Sequence, residues 1–464
     1  MTADASDAGA EGSPAGGGRS RLSPAPGAQA ASLSRRRFLA GVPAGVALPA
    51  VALAASGATA ASPGEPGSWV AGLPGAALPQ RLDPVSVRGL FEFSERHVPM
   101  NAANLCPTSR PAAQALAAAD AAIDLDCSFQ NRAPFGTLLE HCRARIAAQL
   151  SVSPDEVALV RNTSEANNIV NAGLALEPGD EVVLWDQNHP TNNVAWAVRA
   201  ARYGIVVRTV TLPAQPRDAG ELIEPFVRAF TPKTRVLAVS HVSNVSGLAL
   251  PVRELCDLAH ARGIHVHVDG AQSWGVLHVD LPELGCDSYA ASAHKWYMGP
   301  REVGLLYVRS DAIGRIWPAV VAPGWGDDVD PDPVGARKFE SLGQRDDAAL
   351  TGLGVAAGLH DALADADVRS GERYTRALAQ HLKNGLVEAG ATLVTPMAER
   401  FSAGVCVVSV PSANRAELFR RLYAEHGIAA APTGGLRLCP HVYNTSEHVD
   451  RVLAGMVALR SLLA

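Results

Sequence analysis

Two short polar motifs carry the residue types of this sequence that are best suited to chemistry. The first is Asp269-Gly-Ala-Gln272, and the second is Ser292-Ala-His294-Lys295. Each follows a short apolar run that is typical of a buried strand. Ligands in doubly wound sheets bind beyond the carboxyl ends of the strands, so we expect Asp269 and Lys295 to face one crevice.

An amine and a carboxylate in one crevice suit chemistry that needs an electron sink. A nucleophilic lysine needs a lowered pKa and an electrophile held beside it. A carboxylate at a strand end can keep a pyridinium nitrogen protonated, which lets the ring withdraw electrons. The chain has four lysines, Lys233, Lys295, Lys338 and Lys383, and Lys295 alone stands in such a motif.

A phosphate could bind beside the same lysine, because Ser292 and His294 flank it closely. Upstream, Asn162-Thr163-Ser164-Glu165 opens a predicted helix directly after a strand. Backbone N–H groups at such a helix start attract phosphate. Taken alone, the same segment is also typical of an ordinary N-cap with a glutamate in the first turn.

A metal site is the competing interpretation of this region. His265, His267 and Asp269 alternate along one predicted strand, which would place their side chains on one face. Three such side chains could bind a metal. A metal centre would need further ligands at the later strand ends, which carry Ser-Ala-His-Lys instead, so we predict no metal site.

The elements that must position these groups alternate between short apolar strands and helices. This order predicts an α/β fold with a large, doubly wound, mostly parallel sheet and a smaller α+β domain. The predicted strands cover residues 157–160, 181–185, 206–212, 235–242, 265–268, 288–291, 304–308 and 404–410. The predicted helices cover residues 190–203, 221–230, 251–262, 349–363, 371–389 and 415–426.

The composition indicates a globular protein with a substantial core. The 464 residues are 47% hydrophobic and 19% charged. The 40 basic and 46 acidic residues give a net charge of −6, which argues against nucleic-acid binding. The seven cysteines show neither a C-x-x-C pair nor a zinc spacing, so we predict buried thiols rather than a disulfide framework.

The first sixty residues are predicted to be an export signal. Ser34-Arg35-Arg36-Arg37-Phe38-Leu39 is a twin-arginine pattern, and an apolar stretch then leads to the cleavage pattern Ala58-Thr59-Ala60. That stretch is shorter than the roughly 20 residues of a membrane span. We therefore predict recognition by the twin-arginine export machinery, no stable membrane anchor, and a periplasmic or secreted protein.

The chain is predicted to divide into four parts. Residues 1–60 form the signal with a disordered lead, and residues 61–104 join the small domain. Residues 105–345 form the large domain, and residues 346–464 form the small C-terminal domain.

The motifs, taken in order, resemble those of the class V aminotransferase family of fold type I pyridoxal-phosphate enzymes. The resemblance rests on Asp-Gly-Ala-Gln, Ser-Ala-His-Lys-Trp and Gly-Leu-Leu-Tyr-Val-Arg, and it spans essentially the whole chain after residue 60. It implies pyridoxal 5'-phosphate as the cofactor, bound by residues 105–345. It also implies a homodimer and a small amino-acid or peptide-derived substrate.

The resemblance also implies roles for the matching residues. Lys295 would hold the cofactor as a Schiff base and act as general base, Asp269 would pair with the pyridine nitrogen, and His189 would stack on the ring. Further cofactor contacts are implied for Gln272 and Asn244 at the ring oxygen, and for Thr163, Ser164, Ser292 and His294 at the phosphate. Substrate contacts are implied for Arg437, at the α-carboxylate, and for Asn104 and the stretch 130–132.

The family contains transaminases, cysteine desulfurases, lyases and an epimerase, and local details favour some of these reactions. Desulfurases need a cysteine shortly before the carboxylate-binding arginine, and residues 424–435 contain none. Gln-Arg-Asp at 344–346 resembles the isopenicillin N epimerase branch, and the signal resembles that of an exported pyoverdine-tailoring enzyme. We predict epimerase- or aminotransferase-type chemistry at an amino-acid α-carbon. The alternatives are desulfurase- or lyase-type chemistry and a non-catalytic amino-acid-binding protein.

One position departs from the family pattern. Where the family commonly has a threonine that contacts the partner subunit's phosphate, this chain has Gln344 after Gly343. An amide can also donate a hydrogen bond to phosphate, so Gln344 is the candidate for that contact.

Overall fold

A computed structural model describes residues 82–321, 334–364 and 367–463. The predicted export signal, residues 1–60, lies outside the described residues. Within them, no helix combines the length and the apolar character that crossing a membrane requires.

The strands and helices alternate over most of the described chain. The strands are β1 (Val98–Pro99), β2 (Val157–Val160), β3 (Glu181–Trp185), β4 (Val206–Val210), β5 (Thr234–Ser240), β6 (His265–Asp269), β7 (Ser288–Ser292), β8 (Gly304–Val308), β9 (Cys406–Val408), β10 (Ile428–Ala429) and β11 (Leu436–Leu438). The α-helices are α1 (Pro84–Val87), α2 (Arg110–Leu125), α3 (Phe129–Arg132), α4 (Pro134–Gln149), α5 (Thr163–Gly173), α6 (Pro190–Tyr203), α7 (Gly220–Ala229), α8 (Val252–His260), α9 (Leu281–Leu284), α10 (Asp347–Ala364), α11 (Ser370–Glu388), α12 (Ser412–His426) and α13 (Ser446–Ala458).

Seven of these strands form one sheet in the order β2-β8-β7-β6-β5-β3-β4. Strand β8 runs antiparallel to both of its neighbours, and the remaining pairs are parallel. The predicted α/β fold with a mostly parallel sheet is therefore confirmed. The parallel order places the carboxyl ends of β6 and β7, and hence the two polar motifs, side by side.

The sheet is buried because apolar residues project from both of its faces. On β3, Val183 and Trp185 belong to one core, whereas Val182 and Leu184 belong to the other. This explains why the strand is a continuous apolar run rather than an alternating one. A sheet covered on both faces is a rigid support for groups at its edge.

A second, smaller core lies in the C-terminal part of the chain. There β11 pairs antiparallel with β9, and β1 pairs in parallel with β10. Helix α10, which begins just after the predicted boundary at 345, is shared between cores. Its residues Leu353 and Ala356 pack with the large sheet, whereas Leu363 packs with Val405 and Tyr443 of the C-terminal part.

Gly304 sets how closely the sheet approaches the start of α5. A Cβ atom at this position would lie 2.5 Å from the carbonyl oxygen of Ala291 and 2.9 Å from the Cα of Asn162. Only glycine avoids both clashes. The first turn of α5 can therefore lie directly against β7 and β8.

A buried ion pair ties the turn before α10 to the sheet. Arg143 of α4, whose side chain is 1% exposed, pairs with Glu340, and its Nη2 donates to Glu340 Oε2 at 2.9 Å. Gln344, a few residues further on, is exposed and donates to the carbonyl oxygen of Arg345. The predicted contact of Gln344 with a partner subunit's phosphate stays a prediction.

Arg143→Met is expected to destabilise the fold by about 3 kcal/mol, because it leaves the largely buried Glu340 carboxylate with only the more distant Arg345, 3.9 Å away. The free energy of unfolding from urea titration measures this loss. The matched control is Arg228→Met, which removes an exposed pair with Glu224 and should cost less than about 1 kcal/mol. Equal losses in the two variants would contradict a structural role for the buried pair.

Candidate active site

A cavity of about 280 Å³ opens at the carboxyl ends of β6 and β7. It is lined by Asn104, Asn162, Thr163, Ser164, His189, Thr191, Asp269, Ala271, Ser292, His294 and Lys295. The structure thus gathers most of the residues singled out in the sequence from segments that are far apart along the chain.

One end of the cavity is the first turn of α5. Asn162 caps this helix through a hydrogen bond from the backbone N–H of Glu165 to its Oδ1, 3.0 Å long. The hydroxyl of Ser292, at the end of β7, accepts from the backbone N–H of Thr163 at 2.8 Å and lies 2.6 Å from its Oγ1. The hydroxyl-bearing residues Thr163, Ser164 and Ser292 line the cavity at this helix N-terminus, a place where anions commonly bind.

Asp269 and Lys295 also line the cavity. Asp269 is the last residue of β6 and is 3% exposed. Its Oδ1 accepts from the backbone N–H of Ala271 at 3.0 Å, and its Oδ2 accepts from Asn167 Nδ2 at 2.9 Å. Burial, and then the charge of Arg437, lower the pKa of Lys295, while the Asp269 carboxylate opposes the shift. The lowered pKa raises the fraction of neutral, nucleophilic amine.

His189 and His294 bring two imidazole rings to the cavity wall. His189 caps helix α6, where its Nδ1 lies 2.8 Å from Thr191 Oγ1. Burial first, and then the charge of Lys295, lower the pKa of His189. Burial and Lys295 likewise lower the pKa of His294 to about 4. A neutral His294 can still donate one hydrogen bond to an anion.

Arg437 lies on β11, beside the cavity rather than among its lining residues. Its Nη1 donates to the carbonyl oxygen of Asn244 at 2.9 Å, and its Nη2 donates to Asn101 Oδ1 at 3.1 Å. Its Nε is buried and has no hydrogen-bond partner in the described part of the chain. The guanidinium is therefore held in place by two of its five N–H donors, near enough to Lys295 to affect its pKa.

Other residues with predicted cofactor or substrate contacts lie outside the cavity lining, and those contacts stay predictions. The side chain of Gln272 accepts from Trp296 Nε1 at 2.7 Å and donates to the carbonyl oxygen of Ala103 at 2.8 Å. Asn244 meets Arg437 through its backbone, and its predicted contact with the cofactor stays a prediction. Residues 130–132 are also outside the cavity lining, and Arg132 pairs with Asp347.

The histidines considered as metal ligands are engaged by other side chains. His265 Nε2 and His267 Nδ1 lie 3.2 and 2.8 Å from Ser288 Oγ. His267 Nε2 lies 2.9 Å from Asn167 Oδ1. Among the described residues, no cluster of three or more His, Cys, Asp or Glu is arranged to hold a metal ion.

Sequence reasoning missed several residues at this site. Thr191 lines the cavity, Asn167 binds Asp269, and Asn101 binds Arg437. Thr191 could have been found as a hydroxyl in the first turn of a helix that follows a strand. Asn167 lies one helical turn after Thr163, so the two share a face of α5.

Removing the Ser292 hydroxyl is expected to weaken the binding of pyridoxal 5'-phosphate. Ser292→Ala deletes a group that contacts both the backbone and the hydroxyl of Thr163. We expect a Kd about 10-fold higher, the usual scale for one hydrogen bond to a charged group. Fluorescence titration of the cofactor-free protein measures the Kd. Ser240→Ala, at the end of β5, is the matched control, and an unchanged Kd in both variants would refute this role.

The polar groups that line the cavity fit one cofactor that carries a phosphate, a ring nitrogen and an aldehyde. An anion site of hydroxyls and helix N–H groups suits a phosphate, a carboxylate suits a protonated ring nitrogen, and an amine of lowered pKa suits an aldehyde. Arg437 adds a positive charge close enough to act on Lys295. Together with the doubly wound sheet, these features define a fold type I enzyme that uses pyridoxal 5'-phosphate.

Comparison with known proteins gives the family. Residues 128–452 match the model of the class V aminotransferases. The chain is 32% identical over 339 residues to isopenicillin N epimerase of Streptomyces clavuligerus, covering 69% of this chain and 84% of that protein. It is 31% identical over 355 residues to cysteine desulfurase of Klebsiella pneumoniae, covering 70% and 83%. The chain belongs to the class V aminotransferase family.

Solved structures show the same fold. The cystine C-S lyase C-DES, solved with glycine covalently linked to its pyridoxal-phosphate cofactor, has a TM-score of 0.73. It is 24% identical, and the match covers 80% of this chain and 98% of that one. A cysteine desulfurase of Thermococcus onnurineus has a TM-score of 0.71 and 24% identity, with 83% and 99% covered.

Proposed function

We propose that this chain is an exported pyridoxal-phosphate enzyme that acts at the α-carbon of an amino acid, or of a metabolite containing one, in epimerase- or aminotransferase-type chemistry. The observation that carries the proposal is that Lys295 and Asp269 line one cavity while Arg437 lies close enough to lower the pKa of Lys295. The similarity to isopenicillin N epimerases supports it.

Each side chain of the cavity has a separate role in such a reaction. When bound, pyridoxal 5'-phosphate supplies a ring that accepts electrons from the substrate α-carbon. Lys295 would hold the cofactor through its amine and, when that amine is free, would take the α-proton at its Nζ. Asp269, held by two donors, keeps a free oxygen lone pair for the ring nitrogen. Thr163 and Ser292 hold the phosphate.

Arg437 is the proposed anchor for the substrate carboxylate. Two of its nitrogens are already fixed by Asn244 and Asn101, so the guanidinium loses little freedom on binding. The N–H groups of Arg437 that these two bonds leave unused are the proposed donors to a carboxylate oxygen.

Desulfuration is the second candidate, since several relatives are named cysteine desulfurases. No cysteine is among the residues that line the cavity. Cys406 and Cys439 are buried, and burial raises the pKa of both thiols, to about 12 for Cys406. Cys127 is exposed but lies between α2 and α3. Chemistry at the α-carbon itself therefore fits this chain better.

Exchange of the substrate α-hydrogen with solvent deuterium tests the proposal. NMR should show exchange for at least one compound in a panel of free amino acids and amino-acid-containing peptides. Exchange with inversion and without amino transfer identifies an epimerase, and formation of an oxo acid identifies a transaminase. Sulfide release from cysteine without α-hydrogen exchange in any other compound, or failure to bind pyridoxal 5'-phosphate, would overturn the proposal.

Export is part of the proposal and rests on residues 34–60. Replacing Arg35 and Arg36 with lysine should retain the protein in the cytoplasmic fraction, because the twin-arginine pair is the recognised feature. Cell fractionation and mass spectrometry of the mature N-terminus measure both location and cleavage. Unchanged export of the double variant would contradict the predicted route.

A further inference from the structure

We infer that Asn167 and His267 are positioning residues for Asp269: a hydrogen-bond chain that begins at Ser288 and runs through both of them holds the Asp269 carboxylate in its orientation at the cavity. The inference rests on the proposed role of Asp269 as partner of the ring nitrogen. It concerns residues that touch neither substrate nor reacting atoms, and that act through Asp269 alone.

The chain of contacts is short and fully buried. Asn167 Nδ2 lies 2.9 Å from Asp269 Oδ2, and Asn167 Oδ1 lies 2.9 Å from His267 Nε2. His267 Nδ1 lies 2.8 Å from Ser288 Oγ. All four residues are at most 3% exposed. Removing one partner therefore leaves a largely buried polar group without its hydrogen bond, which costs free energy.

The direction of each bond follows from the donors available. An ionised carboxylate only accepts, so the amide nitrogen of Asn167 must face Asp269 and the amide oxygen must face His267. Burial lowers the pKa of His267 to about 3, so the ring is neutral and has one N–H. That hydrogen lies on Nε2, because Asn167 Oδ1 needs a donor, and Nδ1 accepts from the Ser288 hydroxyl.

Every hydrogen in this chain points toward Asp269. Bonds aligned in one direction polarise one another, which strengthens the last bond to the carboxylate. With Oδ2 held by Asn167 and Oδ1 held by the backbone of Ala271, the carboxylate cannot rotate without breaking a buried bond. Its remaining lone pairs are thereby fixed relative to the cavity, as a preorganised acceptor requires.

A purely structural role is the competing explanation, and the variants are chosen to separate the two. Asn167→Leu removes both bonds but leaves His267 unsatisfied. The double variant Asn167→Leu/His267→Phe replaces the polar pair by an apolar one and restores a consistent interior. The matched control is Asn171→Leu, which removes a buried amide one turn later on the same helix.

The measurement compares two cofactors on the cofactor-free proteins. One is pyridoxal 5'-phosphate, and the other is its analogue in which a C–H replaces the ring nitrogen. In Asn167→Leu and in the double variant Asn167→Leu/His267→Phe, we expect the Kd for pyridoxal 5'-phosphate to rise about 10-fold relative to wild type. The Kd for the analogue should change little. Asn171→Leu should change neither Kd.

Each result decides the inference. An equal loss of affinity for both cofactors, or wild-type affinity in a double variant that unfolds at the wild-type temperature, would overturn it. The Asp269→Asn variant distinguishes failure of the positioning role from failure of the proposed function. If Asp269→Asn loses affinity for pyridoxal 5'-phosphate but not for the analogue, and the Asn167 variants show no such difference, only the positioning role is wrong. If wild type binds both cofactors equally, the proposed role of Asp269 is wrong as well.

Discussion

Lys295→Ala is expected to lower turnover by about 10³-fold or more, because it removes both the nucleophile and the base that acts at the α-carbon. The amine lies in the cavity with its pKa lowered by burial, and no other lysine stands in this motif. The α-hydrogen exchange assay measures the loss. Borohydride treatment followed by peptide mass spectrometry should locate the cofactor on the peptide that contains Lys295 in the wild-type protein.

Lys233→Ala is the control for this substitution, since Lys233 is exposed in a turn before β5. It should keep wild-type activity and cofactor attachment. Lys295→Arg separates charge from nucleophilicity: it retains the positive charge but should be as inactive as the alanine variant. Cofactor attached to another lysine, or substantial exchange by either Lys295 variant, would contradict the assignment.

Asp269→Asn is expected to lower turnover by about 10²- to 10³-fold, the range seen when one preorganised electrostatic group is lost. The amide keeps the size of the side chain but cannot hold the ring nitrogen protonated. The effect should fall on kcat more than on KM, because the charge acts on the electron-rich state rather than on substrate binding. Steady-state kinetics with the substrate found by exchange measures both parameters.

Asp186→Asn is the matched control, because Asp186 also follows a strand end but is exposed and binds Thr211 outside the cavity. It should leave kcat within about twofold, as expected of a surface substitution. An Asp269→Asn variant with unchanged kcat would show that the ring nitrogen does not need this carboxylate.

The large sheet could be predicted closely because its strands are continuous apolar runs. Strands 157–160, 181–185 and 304–308 have the predicted bounds. The predicted strand 404–410 spans only Cys406–Val408, because its partner β11 is three residues long. Strands β1, β10 and β11 have two or three residues and carry no periodic signal, so only pairing between distant segments defines them.

The site was predictable where its residues follow strands, and less so elsewhere. Asp269 and Lys295 stand in motifs at strand ends, where ligands bind in this class of fold. Asn167 lies inside a helix, and its role depends on Asp269, 102 residues further along the chain. The spacing of His265 and His267 was as expected of a strand. The hydrogen-bond partners of His267 could be known only from the packing of α5 and β7 against β6.

The hydrogen bond between Asn101 and Arg437 joins residues 336 positions apart. The pairing of β1 with β10 likewise joins an early segment of the described chain to a late one. A ribosome releases these ends in order, so the arginine anchor cannot be held until almost the whole polypeptide has been made. The proposed cofactor contacts lie between residues 163 and 295, whereas the proposed anchor for the substrate carboxylate lies on β11. A chain truncated before β11 should therefore lack that anchor.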